Sequence, residues 1–594
     1  MFIKSISILS ENVIVRNVHF HKGVNLIVDE TSENNKTIRR IINNIRNLIV
    51  DETSENNKDS GNNVGKTTFL KLIDYCLGSR GDSIYKDVEF KEKNNKKVKE
   101  FLEKPSTIIK LVLTEELNNK NEKEIIIERN FGKNKNKIQK INKNTFNKDK
   151  DFCQELKKII YKDELNKPSF RNIIRKNIRN EKEKLLNIVK VLDKSANKQT
   201  YESVYLFWLG ITIKNIGEKD KITKLQKVEK SLLKKLMKEN SPSQIEQSLI
   251  YIEQEIKEIQ QKKKKYNINP NYQEDIKKID KISSQINKIN TKLGGLKYRQ
   301  NLTIESQTEL NKEILNIDKN QVEFLYNKVK KLIPSIQKSF EDVLLFHNQM
   351  IKNKIEYITQ ELPKLNNDIF ELETKRTKLL EEESKYVKKI SKSEFIETLE
   401  EINKKLNEKF LQKGILEEKN NQINKWRKNI EENKKKLNII NKEIEKKDSN
   451  IKQNLKIFNQ YFTTLSKKFY KEPLILSADQ INSENEKSFY DLRIKSINGQ
   501  PGTGEKKIQI AIFDLAYIQF ADELKINCPH FILHDQLGSI HGNQLKNLFN
   551  KIVPNINCQY IVAVLRDKIT ELNESDISKY QILKLSQEKK LFKI

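Results

Sequence analysis

Cysteine is scarce in this chain: Cys76, Cys153, Cys528 and Cys558 are the only four in 594 residues, and no CxxC pair occurs. That scatter excludes a disulfide framework and a zinc hook. Long apolar runs are missing as well. The nearest, Ile508–Ile518, is interrupted by Asp514 and falls short of the ~18 residues a membrane helix needs. The opening MFIKSISILSEN turns polar too soon for a signal peptide, so a cytoplasmic location is expected. Histidine numbers only six. His530 and His534 would share a strand face roughly 13 Å apart at ~3.3 Å per residue, too far to hold one ion together. Asp535, His541, His19 and His21 complete no transition-metal set around them. No Ser/His/Asp or Cys/His constellation stands out.

Positive charge, by contrast, is abundant. Lys and Arg number 113 against 82 Asp and Glu, a formal net charge of +31. Such a balance suits nucleic acid, because phosphate neutralisation drives that binding. It also suits a solvated helix in a chain rich in Lys, Asn and Ile, and tracts such as Lys262–Lys265 sit inside helical patterns. Charge alone leaves DNA contact open. With 36% hydrophobic and 33% charged residues, the chain is too long for one core and too polar for one large globule. A globular part plus long wet helices is expected.

Three regions separate by pattern. From 1 to 215, strand-like runs (Phe2–Leu9, Val24–Val28, Ile108–Leu113, Glu124–Glu128) alternate with helical stretches. From 216 to 460, Gly and Pro become rare and apolar residues recur every 3.5 positions. Ile245, Leu249, Ile252, Ile256 and Ile259 step 4, 3, 4, 3, and Ile279, Ile282, Ile286, Ile289 and Leu293 step 3, 4, 3, 4. Ile351, Ile355, Ile358, Leu362, Leu365, Ile369 and Leu372 repeat the rhythm, as do Ile423, Trp426, Ile430, Leu437, Ile440, Ile444, Ile451, Leu455 and Phe458. This spacing predicts an antiparallel coiled-coil arm with its apex near 295–350. Ser241-Pro242 opens one helix, with Gln244 completing the cap, Gly294-Gly295 closes another, and Pro334 and Pro363 mark joints. From 461 to 594 strand-like runs return at Phe489–Ile497, Phe531–His534 and Gln559–Leu565.

The segment LIVDETSENNK occurs twice without a change, at Leu26–Lys36 and Leu48–Lys58. Identity at this length reads as a tandem duplication; a repeat architecture needs three or more diverged units. Deleting one copy joins an early strand directly to Asp59 and Ser60. The added length is entropically inexpensive, unless it perturbs the phosphate site that follows.

That site is Ser60-Gly61-Asn62-Asn63-Val64-Gly65-Lys66-Thr67-Thr68, between a strand-like run and the helical stretch Phe69–Leu77. A phosphate-binding loop needs small residues so that backbone N–H groups can wrap the anion. It needs a Lys to reach the β- and γ-oxygens and a hydroxyl for Mg²⁺, all at a helix N-terminus. Gly65, Lys66 and Thr67 fill those roles, while Ser60 stands where the pattern asks for Gly. A second element is the apolar strand Phe531–His534 ending in Asp535-Gln536, where a carboxylate can hold Mg²⁺ through water. A third is the Gly-rich turn Gly502-Thr503-Gly504-Glu505 before a helical run.

A phosphate loop near one end, a long coiled coil, then a Gly-rich turn and an Asp-tipped strand resembles the SMC/RecF/RecN-type ABC ATPases. Shorter strings, Gly23–Ile27, Asn62–Thr68, Asp87–Phe90, Phe346-His347 and His534-Asp535, look like the SMC-like middle component of bacterial ABC-three-component, defence-type systems with a C-terminal domain of unknown function. The resemblance implies an α/β head assembled from both chain ends, with Asp535 and Thr67 on Mg²⁺. It also implies a homodimer sandwiching ATP, each signature turn (Gly502, Thr503, Gly504, Glu505) reaching the other subunit's nucleotide. Three departures stand out: the signature keeps only Gly504 and Glu505, Gln536 replaces the usual catalytic Glu, and Leu565-Arg566-Asp567 replaces a switch histidine. Gln536 can orient water but is no strong base, so slow or partner-stimulated hydrolysis is implied. The expected function is ATP-dependent head closure coupled to DNA sensing or to other subunits and an effector, in anti-phage or anti-plasmid defence or DNA repair. The alternative is a non-hydrolysing scaffold that binds nucleotide structurally and recruits partners.

Overall fold

The computed structural model describes the chain apart from residues 12, 31–64, 86–95, 120–121, 133–135, 181–183, 194–195, 266–272, 316–335, 390–392, 471–472, 482–488, 497–502, 536–539 and 594. The expected strings Ser60–Val64, Asp87–Phe90, Gly502 and Gln536 therefore lie outside the described residues, as does Pro334. Two compact units are present, one made of residues 1–220 with 440–594, the other of residues 221–439.

The first unit carries thirteen described strands: β1 (Phe2–Ser10), β2 (Val13–His19), β3 (Gly23–Asp29), β4 (Ile108–Thr114), β5 (Ile125–Arg129), β6 (Gln139–Ile141), β7 (Asn144–Thr145), β8 (Ile178–Arg179), β9 (Leu474–Ile481), β10 (Phe489–Ser496), β11 (Phe531–His534), β12 (Gln559–Leu565) and β13 (Gln581–Leu585). An antiparallel sheet runs β2-β1-β4-β5-β6-β7, and β9 pairs with β10 as a ribbon. The remaining sheet, in the order β13-β3-β12-β11-β8, is parallel throughout. Its strands come from both ends of the sequence: Gly23 to Asp29 of β3 pair one for one with Gln559 to Leu565 of β12. Both strands are buried almost end to end, as expected when a parallel sheet is covered on its two faces.

Helix Lys66–Cys76 presents Phe69, Leu70, Leu72 and Ile73 to this interior, all fully buried. Helix Thr503–Glu523 contains the apolar run Ile508–Ile518. Ile508, Ile512, Phe513, Leu515 and Ile518 are all buried, so the run is a core helix apolar around its circumference. Phe513 and Phe520 pack tilted and edge-on against Phe458 of helix Asp448–Tyr470, with ring centroids 5.2 and 5.7 Å away. The seam residues Ile440, Ile444, Ile451, Leu455 and Phe458, which continue the heptad rhythm, thus belong to the first unit. No helix among the described residues is long and apolar enough to cross a membrane.

The second unit is helical, and its seam residues are the buried ones. Ile245 packs with Leu236 and Ile423, Ile252 and Ile256 with Leu406, Ile279 with Val387, and Ile289 and Leu293 with Ile369. The order of cross-helix pairs gives direction. Glu255–Lys409 and Glu253–Lys413 run in opposite order, so helices Pro242–Lys265 and Ser393–Glu445 are antiparallel. Ser283–Glu383 and Lys297–Glu373 make Gln273–Leu315 antiparallel to Leu362–Lys389. Asn290–Asn407 and Gly294–Leu411 rise together, so Gln273–Leu315 runs parallel to Ser393–Glu445. More than two helices therefore share the seam.

One expectation changes here. Gly294 and Gly295 do not end a helix; they lie inside the 43-residue helix Gln273–Leu315. A Cβ at Gly294 would stand 2.3 Å from the Leu411 carbonyl oxygen, and one at Gly414 would stand 1.9 Å from that of Thr291. The glycines are there because two helix backbones touch. Residues 296–315 continue this helix, with Arg299 paired to Glu361 and Lys235 to Glu309. Helices Pro242–Lys265 and Gln273–Leu315 run in opposite directions, and Lys263 meets Asp280 between them. A 3.5-residue period records that a seam exists, but not how many helices share it.

Candidate nucleotide-binding site

The site is built on the carboxyl-terminal ends of the parallel strands, where ligands collect in open α/β sheets. β3 ends at Asp29, whose side chain is fully buried. After the undescribed stretch the chain reappears at Gly65, the N-cap of helix Lys66–Cys76. Gly65 has φ +100°, and a Cβ there would meet the Leu591 Cβ at 2.7 Å, so backbone strain and lack of space both require glycine. Lys66, Thr67 and Thr68 form the first turn, which contains no acidic residue. The N–H groups of a first turn point out of the helix, and its dipole favours an anion there.

The helix is fixed at its other end. Arg171 pairs with Asp74 at 2.7 Å and donates to the Leu77 carbonyl at 2.8 Å. Arg129 lies 4.0 Å from the centre of the Tyr75 ring and donates to the carbonyls of Tyr75 and Ser79. Burial alone would raise the Asp74 pKa, yet the charges of Arg171 and Lys184 and the hydrogen bonds from Arg171 and Asn180 together outweigh it and hold the carboxyl below its ordinary value. These contacts satisfy the carbonyl end and set the direction in which the amino end points.

Lys66 does not extend outward. Its Nζ donates to Asp29 Oδ2 at 2.7 Å, with side-chain exposures of 12% and 0%. Sequence reasoning missed Asp29, because a carboxylate inside the duplicated segment matches no motif. Only position shows its role: the tip of β3, facing the helix that follows.

Asp535 follows directly on β11 and is buried, its N–H bonded to the Arg179 carbonyl at 2.9 Å. β12 separates it from β3, since β11 and β3 pair on either side of that strand. Asp29 and Asp535 thus stand at the same end of the sheet. Lys507, four residues into helix Thr503–Glu523, is close enough that Asp535 pushes its pKa up against the larger lowering by burial. Thr503, Gly504 and Glu505, read from sequence as a turn, form the first turn of that helix. β12 ends at Leu565, and Arg566 pairs with Glu574. The structure therefore brings Gly65–Thr68 and Asp535 to one edge of one sheet. No group of three or more His, Cys, Asp or Glu able to hold a metal occurs among the described residues. A divalent cation at this edge would need oxygen ligands beyond the protein carboxylates, as a nucleotide and water supply.

Residues 465–594 match the family described as an uncharacterised protein conserved in bacteria, DUF2326. That stretch spans β9 to β13 and includes Asp535, but not Gly65–Thr68. No curated protein matches the chain. Among solved structures, the chain is similar to the Smc head domain with a coiled coil and joint from Pyrococcus yayanosii, at 16% identity over 96% of this chain and 93% of that one, TM-score 0.35. It is also similar to the Smc head domain with an extended coiled coil bound to the C-terminal domain of ScpA from Pyrococcus furiosus, at 12% identity over 96% and 91%, TM-score 0.28. The recombination mediator protein RecF, in its ATPrS form, is similar at 11% identity over 97% and 93%, TM-score 0.30. At these TM-scores the whole-chain superpositions are loose.

Proposed function

We propose that the chain is an SMC/RecF-like ATP-binding protein whose nucleotide site is Ser60–Thr68 with Asp535. The observation that carries the reading is the convergence of Gly65, Lys66, Thr67 and Asp535 on the carboxyl edge of one parallel sheet. Backbone N–H groups of the helix start would receive phosphate oxygens, Lys66 would leave Asp29 to reach the β- and γ-oxygens, and Thr67 with Asp535 would hold Mg²⁺. Bound Mg²⁺ neutralises charge on the phosphates during phosphoryl transfer. The buried Asp535 suits that role, because a carboxylate fixed by its own strand needs no reordering when the cation arrives. Gln536 would orient water without abstracting its proton.

In this reading ATP joins two heads into a homodimer, with Gly502–Glu505 of each facing the other's nucleotide. Closure changes the helical unit and gates DNA sensing or a partner effector, in a defence or repair setting. Gln536 favours one rival: a scaffold that binds nucleotide for stability and does not turn it over. The first test is binding. Lys66→Ala removes a charge-assisted phosphate contact worth roughly 1.5–3 kcal/mol. Binding of labelled ATP should weaken at least tenfold, and equal binding by wild type and variant would remove the assignment.

A further inference from the structure

Behind Asp535 lies a closed ring of buried polar groups that the nucleotide reading does not use. Arg179, on the two-residue strand β8, is fully buried, and all five of its side-chain N–H donors have acceptors. Nε and Nη2 grip the Asp514 carboxylate at 3.0 and 2.7 Å. Nη1 donates to the Lys184 and Asn187 carbonyls at 3.2 and 3.0 Å, and Nη2 to that of Ile188 at 3.0 Å. Asp514 comes from helix Thr503–Glu523, so this pair ties β8 to the helix that begins at Thr503.

Asp514 Oδ2 also lies 3.1 Å from His534 Nε2, and His534 Nδ1 lies 2.9 Å from the Tyr560 hydroxyl. All three residues are buried. Burial favours a neutral Asp514, but the Arg179 charge and the hydrogen bonds from Arg179 and His534 together outweigh it and hold the carboxyl below its ordinary value, ionised. An ionised carboxylate only accepts, so His534 Nε2 carries the proton and Nδ1 offers its lone pair to the Tyr560 O–H. The circuit closes through the backbone, where the Asp535 N–H donates to the Arg179 carbonyl at 2.9 Å. Four elements, β8, β11, β12 and helix Thr503–Glu523, are thereby pinned around one aspartate.

Holding the fold together does not explain this ring. Apolar residues of similar volume would serve a core as well, since a buried ion pair recovers little more than its own desolvation cost. What such a network adds is a single fixed geometry, and here that geometry ends on Asp535.

We propose that Arg179, Asp514, His534 and Tyr560 are positioning residues that set the Asp535 carboxylate for a nucleotide-bound divalent cation. The inference rests on the nucleotide reading above. It predicts that damage to the ring appears in the Mg²⁺ dependence of nucleotide binding and spares Mg²⁺-free binding, which depends on Lys66 and the helix start. Removing an outer partner of a metal ligand typically costs 10–100-fold in metal affinity.

The test uses full-length protein, a fluorescent non-hydrolysable ATP analogue, and titrations with Mg²⁺ and in EDTA, beside thermal melting. Tyr560→Phe deletes one hydroxyl and should melt close to wild type while raising the Mg²⁺ half-saturation about tenfold, the low end of that range. Asp514→Asn should raise it further. In both variants affinity in EDTA should match wild type, whereas Lys66→Ala should lose it. If Asp514→Asn does not fold, Tyr560→Phe decides the matter alone. An unchanged Mg²⁺ half-saturation in Tyr560→Phe overturns the positioning role and leaves the nucleotide reading intact. Wild type that binds no analogue at all overturns both.

Discussion

Asp29 and Lys66 hold each other at 2.7 Å, where an incoming phosphate would need the lysine for itself. Nucleotide must therefore break a mostly buried pair before it gains its own. Asp29→Asn should release the lysine and act in two directions. Without ligand it leaves a poorly solvated cation, so the melting temperature should fall by an amount matching about 3 kcal/mol. With ATP the phosphate takes the vacated place, so affinity should rise about tenfold and ligand should restore the melting temperature. Weaker ATP binding in Asp29→Asn would show that the carboxylate helps hold the ligand and does not compete with it. Gly65–Thr68 and Asp535 were legible in sequence because phosphate binding imposes a spacing on residue types. Asp29 and Arg179 were not. Arg179 sits on a strand of two residues, too short for any period, and only three-dimensional pairing puts Asp514 opposite it.

Whole elements divide in the same way. β1, β3, β4, β11 and β12 announced themselves as apolar runs, because strands with a buried face cannot be polar. β2, with Val13 and Ile14 exposed, and β13, five residues broken by Lys584, carry no comparable signal. The helix crossing at Gly294, Gly295 and Gly414 shows how a local rule fails: paired glycines suggest a helix end until a second backbone needs the space. Alanine at an exposed helical glycine ordinarily gains about 1 kcal/mol. At Gly414 the sign should reverse, because the new Cβ would stand 1.9 Å from the Thr291 oxygen and force the helices apart. Gly414→Ala should destabilise the helical unit by roughly 1–3 kcal/mol, as overpacking does. Gly295→Ala, with its nearest contact at 3.3 Å, should cost less. Melting curves of the full-length variants compare them, and a higher melting temperature in Gly414→Ala would refute the close crossing.

At the scale of the molecule, the duplicated segment asks whether the added chain matters. β3 takes Leu26–Asp29 from the first copy, and the second copy lies outside the described residues. A variant lacking Thr37–Lys58 keeps β3 and its pairing with β12. Chain entropy gives a shorter connection an advantage of roughly 1 kcal/mol. Melting temperature should stay level or rise slightly, and ATP affinity should hold. A variant that no longer folds, or no longer binds ATP, would show that both copies are needed.

The parallel sheet also has a consequence in time. Asp29 pairs with Leu565, which lies 536 positions further along the chain. At ~5–20 residues per second, a ribosome takes roughly half a minute to two minutes to deliver the second partner after the first. Throughout that interval the nascent β3, apolar along almost its whole length, has no neighbour on its β12 edge. The helical seam between them depends on contacts nearer in sequence and can form meanwhile. Synthesis of this protein therefore leaves an unpaired sticky strand waiting on the ribosome, and its yield should depend on chaperones that shield such strands.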